Sequence, residues 1–119
     1  MATRSYIGKQ NSDGTIRAIY CHWDGYPNHV GRLLNDHYDE ETKVDNLLNL
    51  GDLSSLNSTL EETVAYKHDR EENNVDARLF ESRQDFILFG NGMSAEFWYL
   101  FCNGEWETLG RGPGWKLPA

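Results

Sequence analysis

The chain of 119 residues has only two cysteines, two methionines and no apolar run near the roughly 20 residues needed to cross a bilayer. Two cysteines exclude a disulfide framework as the main source of stability. Cys21 and Cys102 are read as reduced, small hydrophobic residues. Neither a paired Cys-x-x-Cys nor a His-Glu-x-x-His array is present. The segment from Met1 to Tyr6 lacks the apolar centre of a signal peptide. These absences lead to the expectation of a cytoplasmic protein without a membrane segment, a cofactor or a resident metal.

Positive charge is also scarce. Lys and Arg number 11 against 19 Asp and Glu, for a formal charge of -8. The imbalance is local: residues 36–62 carry eight acids against Lys43 alone, whereas residues 1–35 carry four basic and two acidic groups. Such a field repels nucleic-acid phosphate and steers a basic protein surface toward it. Direct nucleic-acid binding is therefore not expected, although the same acids would also serve solubility alone. Four tryptophans and six tyrosines are incompatible with a disordered acidic tail. The length suits one domain spanning residues 1–119.

The spacing predicts strands over Ser5 to Lys9 and Thr15 to Cys21, joined by the turn residues Asn11-Ser12-Asp13-Gly14. Ile16, Ala18 and Tyr20 share one face of the second strand; Arg17, Ile19 and Cys21 share the other. A helix is expected from Asn28 or His29 to about Tyr38. A second, capped by Thr42 with Asp45 at its third position, carries Val44, Leu47 and Leu48 and stops at Gly51. Leu53 and Leu56 read as core anchors. Leu60 to His68 reads as either a short helix or a strand entry, and Asp69 to Asp76 as a solvated loop. Leu79, Phe80 and Phe86 to Phe89 return to the core through a short helix begun near Ser82. The last hairpin, Phe97 to Cys102 and Glu105 to Thr108, turns at Asn103-Gly104. The expected fold is α+β: an antiparallel sheet of about four strands with two main helices on one face.

The densest chemistry lies in Tyr20-Cys21-His22-Trp23-Asp24-Gly25-Tyr26-Pro27. Cys21 and His22 would point to opposite faces of a strand, which argues against a nucleophile–base pair. His22 and Asp24 would share a face. Tyr20 and Trp23 are expected in the core, with Asp24 receiving backbone hydrogen bonds in the turn. His29 and His37 would be about 12 Å apart along a helix, too far to share an ion directly. Asp69, Arg70 and Glu71 beside His68 would supply a charged loop. The Gly110 to Gly114 segment lacks the spacing and Lys-Ser/Thr end of a P-loop.

Arg4-Ser5-Tyr6-Ile7-Gly8, the Tyr20 to Pro27 run, Leu50-Gly51-Asp52-Leu53-Ser54, Ala65 to Glu71 and the Tyr99 to Trp106 hairpin resemble a group of small acidic proteins of tailed bacteriophages and prophages. The resemblance implies an accessory protein that binds and modulates or inhibits a host protein, including nucleic-acid-binding defence components, in the host cytoplasm. Asp36, Asp39, Glu40, Glu41 and Asp45 are the expected contact acids. One competing reading is a small hydrolase with His22, Asp24, Asp69, Arg70 and Glu71 in a pocket; another is a structural homo-oligomer.

Overall fold

Both hairpins form where their turn residues place them. β1 (Ser5–Gln10) pairs antiparallel with β2 (Ile16–Cys21), and Asp13 holds the turn by accepting from the Thr15 N–H at 3.0 Å. At the other end of the chain, Phe97–Cys102 and Glu105–Gly110 pair across Asn103 (φ 53°) and Gly104 (φ 80°), the left-handed pair that a two-residue turn requires. The computed structural model that shows this describes residues 3–69 and 75–110.

The rest of the sheet corrects the expected fold. Seven strands, not about four, form one sheet of mixed direction among the described residues. After β2 come β3 (Leu53–Ser55), β4 (Val64–Ala65), β5 (Arg78–Phe80), β6 (Phe97–Cys102) and β7 (Glu105–Gly110). The order is β4-β3-β2-β1-β6-β7, with β5 also bonded to β2. β1 runs parallel to β6, and β2 parallel to β3. Parallel neighbours need crossovers of a dozen or more residues. Helices supply them: a π turn (Pro27–Gly31) leads into α1 (Arg32–His37), followed by α2 (Glu41–Asn49), before β3. Then α3 (Tyr66–Asp69) follows β4, and α4 (Arg83–Gly92) lies between β5 and β6.

The helices cover both faces of the sheet, not one. Val30, Leu34, Val44, Leu47 and Leu48 pack with Ile7, Ile19, Tyr99 and Phe101 on the first face. Phe86 and Ile87 of α4 pack with Tyr6, Ile16, Ala18, Trp98 and Leu100 on the second. The two-faced apolar patterns of β2 and β6 follow from this burial on both sides. Ser82 caps α4, its Oγ accepting the Asp85 N–H at 3.1 Å. By contrast, Thr42 lies inside α2, and Glu40 occupies the capping position without a side-chain bond. Leu79 is 68% exposed and does not return to the core. Gly51 ends α2's exit with φ +79°, close against the Val75 carbonyl, where a side chain would collide with backbone.

An ion-pair group ties β1 to α2, and Arg83 of α4 pairs with Glu107 of β7 at 2.6 Å. Lys9 reaches from β1 to both Glu41 and Asp45 of α2 at 2.8 Å, and its side chain is only 13% exposed. Burial works against the charge, but hydrogen bonds to Asp45 and Glu41 outweigh it and hold the ammonium above its ordinary pKa of 10.5. A raised folded-state value means that this stabilisation is complete below pH 10.5 and is lost as pH climbs through the folded value. Lys9→Met is expected to lower stability by about 1 kcal/mol, since both acids remain solvated. Urea unfolding should show that deficit shrinking at about 1 M salt.

Candidate functional site

The corner between β2 and α1 is fixed through its backbone. The His22 N–H donates to the Leu53 carbonyl at 3.0 Å, the Trp23 N–H to Ser54 at 2.9 Å, and the Gly25 N–H to Thr3 at 2.9 Å. The buried Tyr99 hydroxyl donates to the Gly25 carbonyl at 2.6 Å, fastening the corner to the centre of the sheet. A Cβ on Gly25 would lie 2.6 Å from the Thr3 carbonyl oxygen and 2.7 Å from Ser5, so the chain can approach this closely only through glycine.

The side chains on this corner differ from expectation. Trp23 is not core: it is 46% exposed, and Tyr26 beside it is 41% exposed. The indole stands edge-on to the His22 ring at 4.6 Å, and Tyr26 lies 6.1 Å from His29. Asp24 is exposed, has φ 55° and accepts no hydrogen bond among the described residues. His22 does not pair with it; its Nδ1 shares a 2.6 Å hydrogen bond with the Tyr20 hydroxyl instead. Cys21 is fully buried, and burial pushes its thiol up to about 12, the opposite of an activated nucleophile.

Burial, then the charge of Arg4, holds His22 below its ordinary pKa of 6.5. As pH falls through 6.5, the unfolded chain takes a proton that the folded His22 resists, so stability declines. His22→Phe should therefore lose less stability than the parent between pH 7.5 and pH 5, read from urea midpoints.

The hydrolase constellation is not assembled from the described residues. Asp69 ends α3, while Arg70 and Glu71 lie outside the described residues, as do Trp115 and residues 111–114 of the glycine-rich stretch. A cleft of about 280 Å³ does open near the end of β2, but Arg4, Tyr6, Tyr20, Asp52, Arg78 and Met93 line it, and neither His22 nor Asp24 does. Sequence reasoning missed Arg4, Asp52 and Arg78.

The five acids fall on α1, on α2 and in the turn between them. Asp36, Asp39, Glu40 and Glu41 are exposed and Asp45 is half-buried. Asp39 pairs with Lys43 at 3.7 Å, and Lys9 holds Glu41 and Asp45. Asp36 and Glu40 form no ion pair among the described residues. The π turn and α1 run without a break from the aromatic corner to this group, so Tyr26 and Asp36 are roughly 15 Å apart along the helix.

Among the described residues no helix is long and apolar enough to cross a membrane. No protein-family model matches the chain, and no curated protein or solved structure matches it.

Proposed function

We propose that the chain is a stoichiometric protein-binding domain that modulates or inhibits a host protein bearing a basic surface, such as a nucleic-acid-binding defence component. The observation that carries the reading is the exposure of Trp23 and Tyr26 on a corner whose backbone is held by at least four hydrogen bonds. Large aromatic side chains on a rigid frame lose little conformational freedom on docking, and they are the residues that most often dominate interface energy. Asp36, Asp39, Glu40, Glu41 and Asp45 add the charge that selects a basic partner and speeds encounter. A catalytic reading has less support: the His22 Nδ1 is occupied, Asp24 is solvated and Cys21 is inert.

Affinity capture from a bacterial lysate tests the proposal. The parent chain is expected to retain a basic protein, and a variant with the five acids changed to Asn or Gln should retain at least tenfold less. Equal recovery by both would sink the role given to the acids.

A further inference from the structure

The cleft beside β2 arises from an incomplete strand edge. β5 covers β2 from Ile16 to Ala18, and β3 joins it only at Cys21. The Tyr20 N–H falls between the two short strands, and the Asp52 carboxylate accepts it at 2.9 Å through one oxygen. Asp52 is fixed in turn: its N–H donates to the Val75 carbonyl at 2.7 Å, and its carbonyl accepts from Tyr66 at 3.2 Å. Its second carboxylate oxygen has no protein partner among the described residues. Burial raises the Asp52 pKa, opposed by the Tyr20 N–H and by Arg78.

Arg4 and Arg78 line the cleft with this carboxylate, and neither forms an ion pair with it among the described residues. Lys9, Lys43, Lys67 and Arg83 each hold a carboxylate partner. Arg4, Arg17, Arg32 and Arg78 hold none among the described residues, Arg17 donating instead to the Asn49 side-chain carbonyl, and two of those four, Arg4 and Arg78, line the same cleft. Arg78 is braced by the Phe89 ring, 5.2 Å from its centroid. Both positive fields reach Tyr6: burial and the Asp52 charge raise its pKa to about 12, while Arg78 and Arg4 oppose them. The Tyr6 and Tyr20 rings stand 5.5 Å apart and supply an aromatic wall.

We infer that this cleft binds a small phosphate monoester carrying an amine, with the phosphate against Arg4 and Arg78 and the ammonium against Asp52 and the tyrosine rings. Two guanidiniums suit a dianion better than a single carboxylate does. An ammonium would bond the Asp52 oxygen that has no partner among the described residues, and gains from the aromatic faces. The volume accommodates a group of several heavy atoms. Tyr20 borders both this cleft and the aromatic corner, through its 2.6 Å bond to His22, but the inference does not rest on protein binding there.

Calorimetry with inorganic phosphate, ethanolamine and phosphoethanolamine, together with amide chemical-shift mapping, tests the assignment. Phosphoethanolamine is expected to bind at least tenfold more tightly than phosphate, and ethanolamine not measurably, with shifts centred on Arg4, Tyr6, Tyr20 and Asp52. Arg4→Gln and Arg78→Gln should each weaken it at least tenfold. Asp52→Asn keeps an acceptor for the Tyr20 N–H, so the fold is retained, yet the advantage over phosphate should vanish. Equal affinity for phosphate and phosphoethanolamine, shifts centred elsewhere, or no binding at millimolar ligand would overturn the inference. So would co-sedimentation with phosphatidylethanolamine vesicles without binding of the soluble monoester, which would move the source to a lipid headgroup.

Discussion

Trp98→Ala is expected to remove about 3–5 kcal/mol of folding stability, a large part of what a domain of this size possesses. Trp98 is fully buried on the second face of the sheet, and α4 comes down on it at Gly90. A Cβ at Gly90 would overlap the Trp98 indole, so the helix reaches the sheet only because glycine stands there. The melting temperature should fall by roughly 10–20 °C. Leu88→Ala on the same helix is the control: Leu88 is 42% exposed, and its loss should cost under about 1 kcal/mol.

The pair also makes a sharper test. Gly90→Ala alone should destabilise by about 1–3 kcal/mol through overpacking. In the Trp98→Ala background the added methyl enters the vacated space and gains about 1 kcal/mol of helix propensity, so the same change should become neutral or stabilising. Additive effects of the two substitutions would show that α4 does not pack on Trp98.

The second large effect concerns binding. Changing Trp23 and Tyr26 together to alanine should weaken partner affinity by about 2 kcal/mol or more, roughly 30-fold, while folding stability changes by less than about 1 kcal/mol. The two readouts separate because the aromatic side chains are exposed while the backbone beneath them is held by Tyr99, Thr3 and the β3 carbonyls. A matching loss in both would mean that the aromatics support the corner and do not contact a partner.

Local features of the fold were legible in the sequence, and long-range ones were not. Asn103-Gly104 and Asn11 to Gly14 marked their turns because left-handed backbone and side-chain-to-backbone bonds are short-range effects. The stripe Val44, Leu47 and Leu48 marked the buried face of α2 for the same reason. Sheet order is different. Nothing near Ser5 specifies that β1 lies parallel to β6, since that contact depends on α4 carrying the chain across the second face. A usable signal existed for one pair: the strand–helix–strand order from Cys21 to Leu53 is that of a crossover, which fits the parallel neighbours β2 and β3.

The candidate sites divide in the same way. The Tyr20 to Pro27 run was visible as a corner, but its density of aromatics suggested burial, and Trp23 faces outward because Asp24 (φ 55°) and Gly25 turn the chain immediately after it. The arginine–tyrosine–aspartate cleft was invisible. Arg4, Asp52 and Arg78 are distant in sequence and line one cleft only through the sheet: Arg4 precedes β1, Asp52 precedes β3 and Arg78 opens β5.

Site-specific photo-crosslinking is the most direct measurement of the central claim, that the corner is a protein-binding surface. A photoreactive phenylalanine is placed at Tyr26, at Trp23 and, as a control on α4, at Leu88, and each chain is irradiated in bacterial cells. The account predicts one dominant adduct with a basic host protein from positions 26 and 23, none from 88, and loss of the adduct when the five acids are neutralised. Equal labelling from all three positions, or none from 23 and 26, would contradict it.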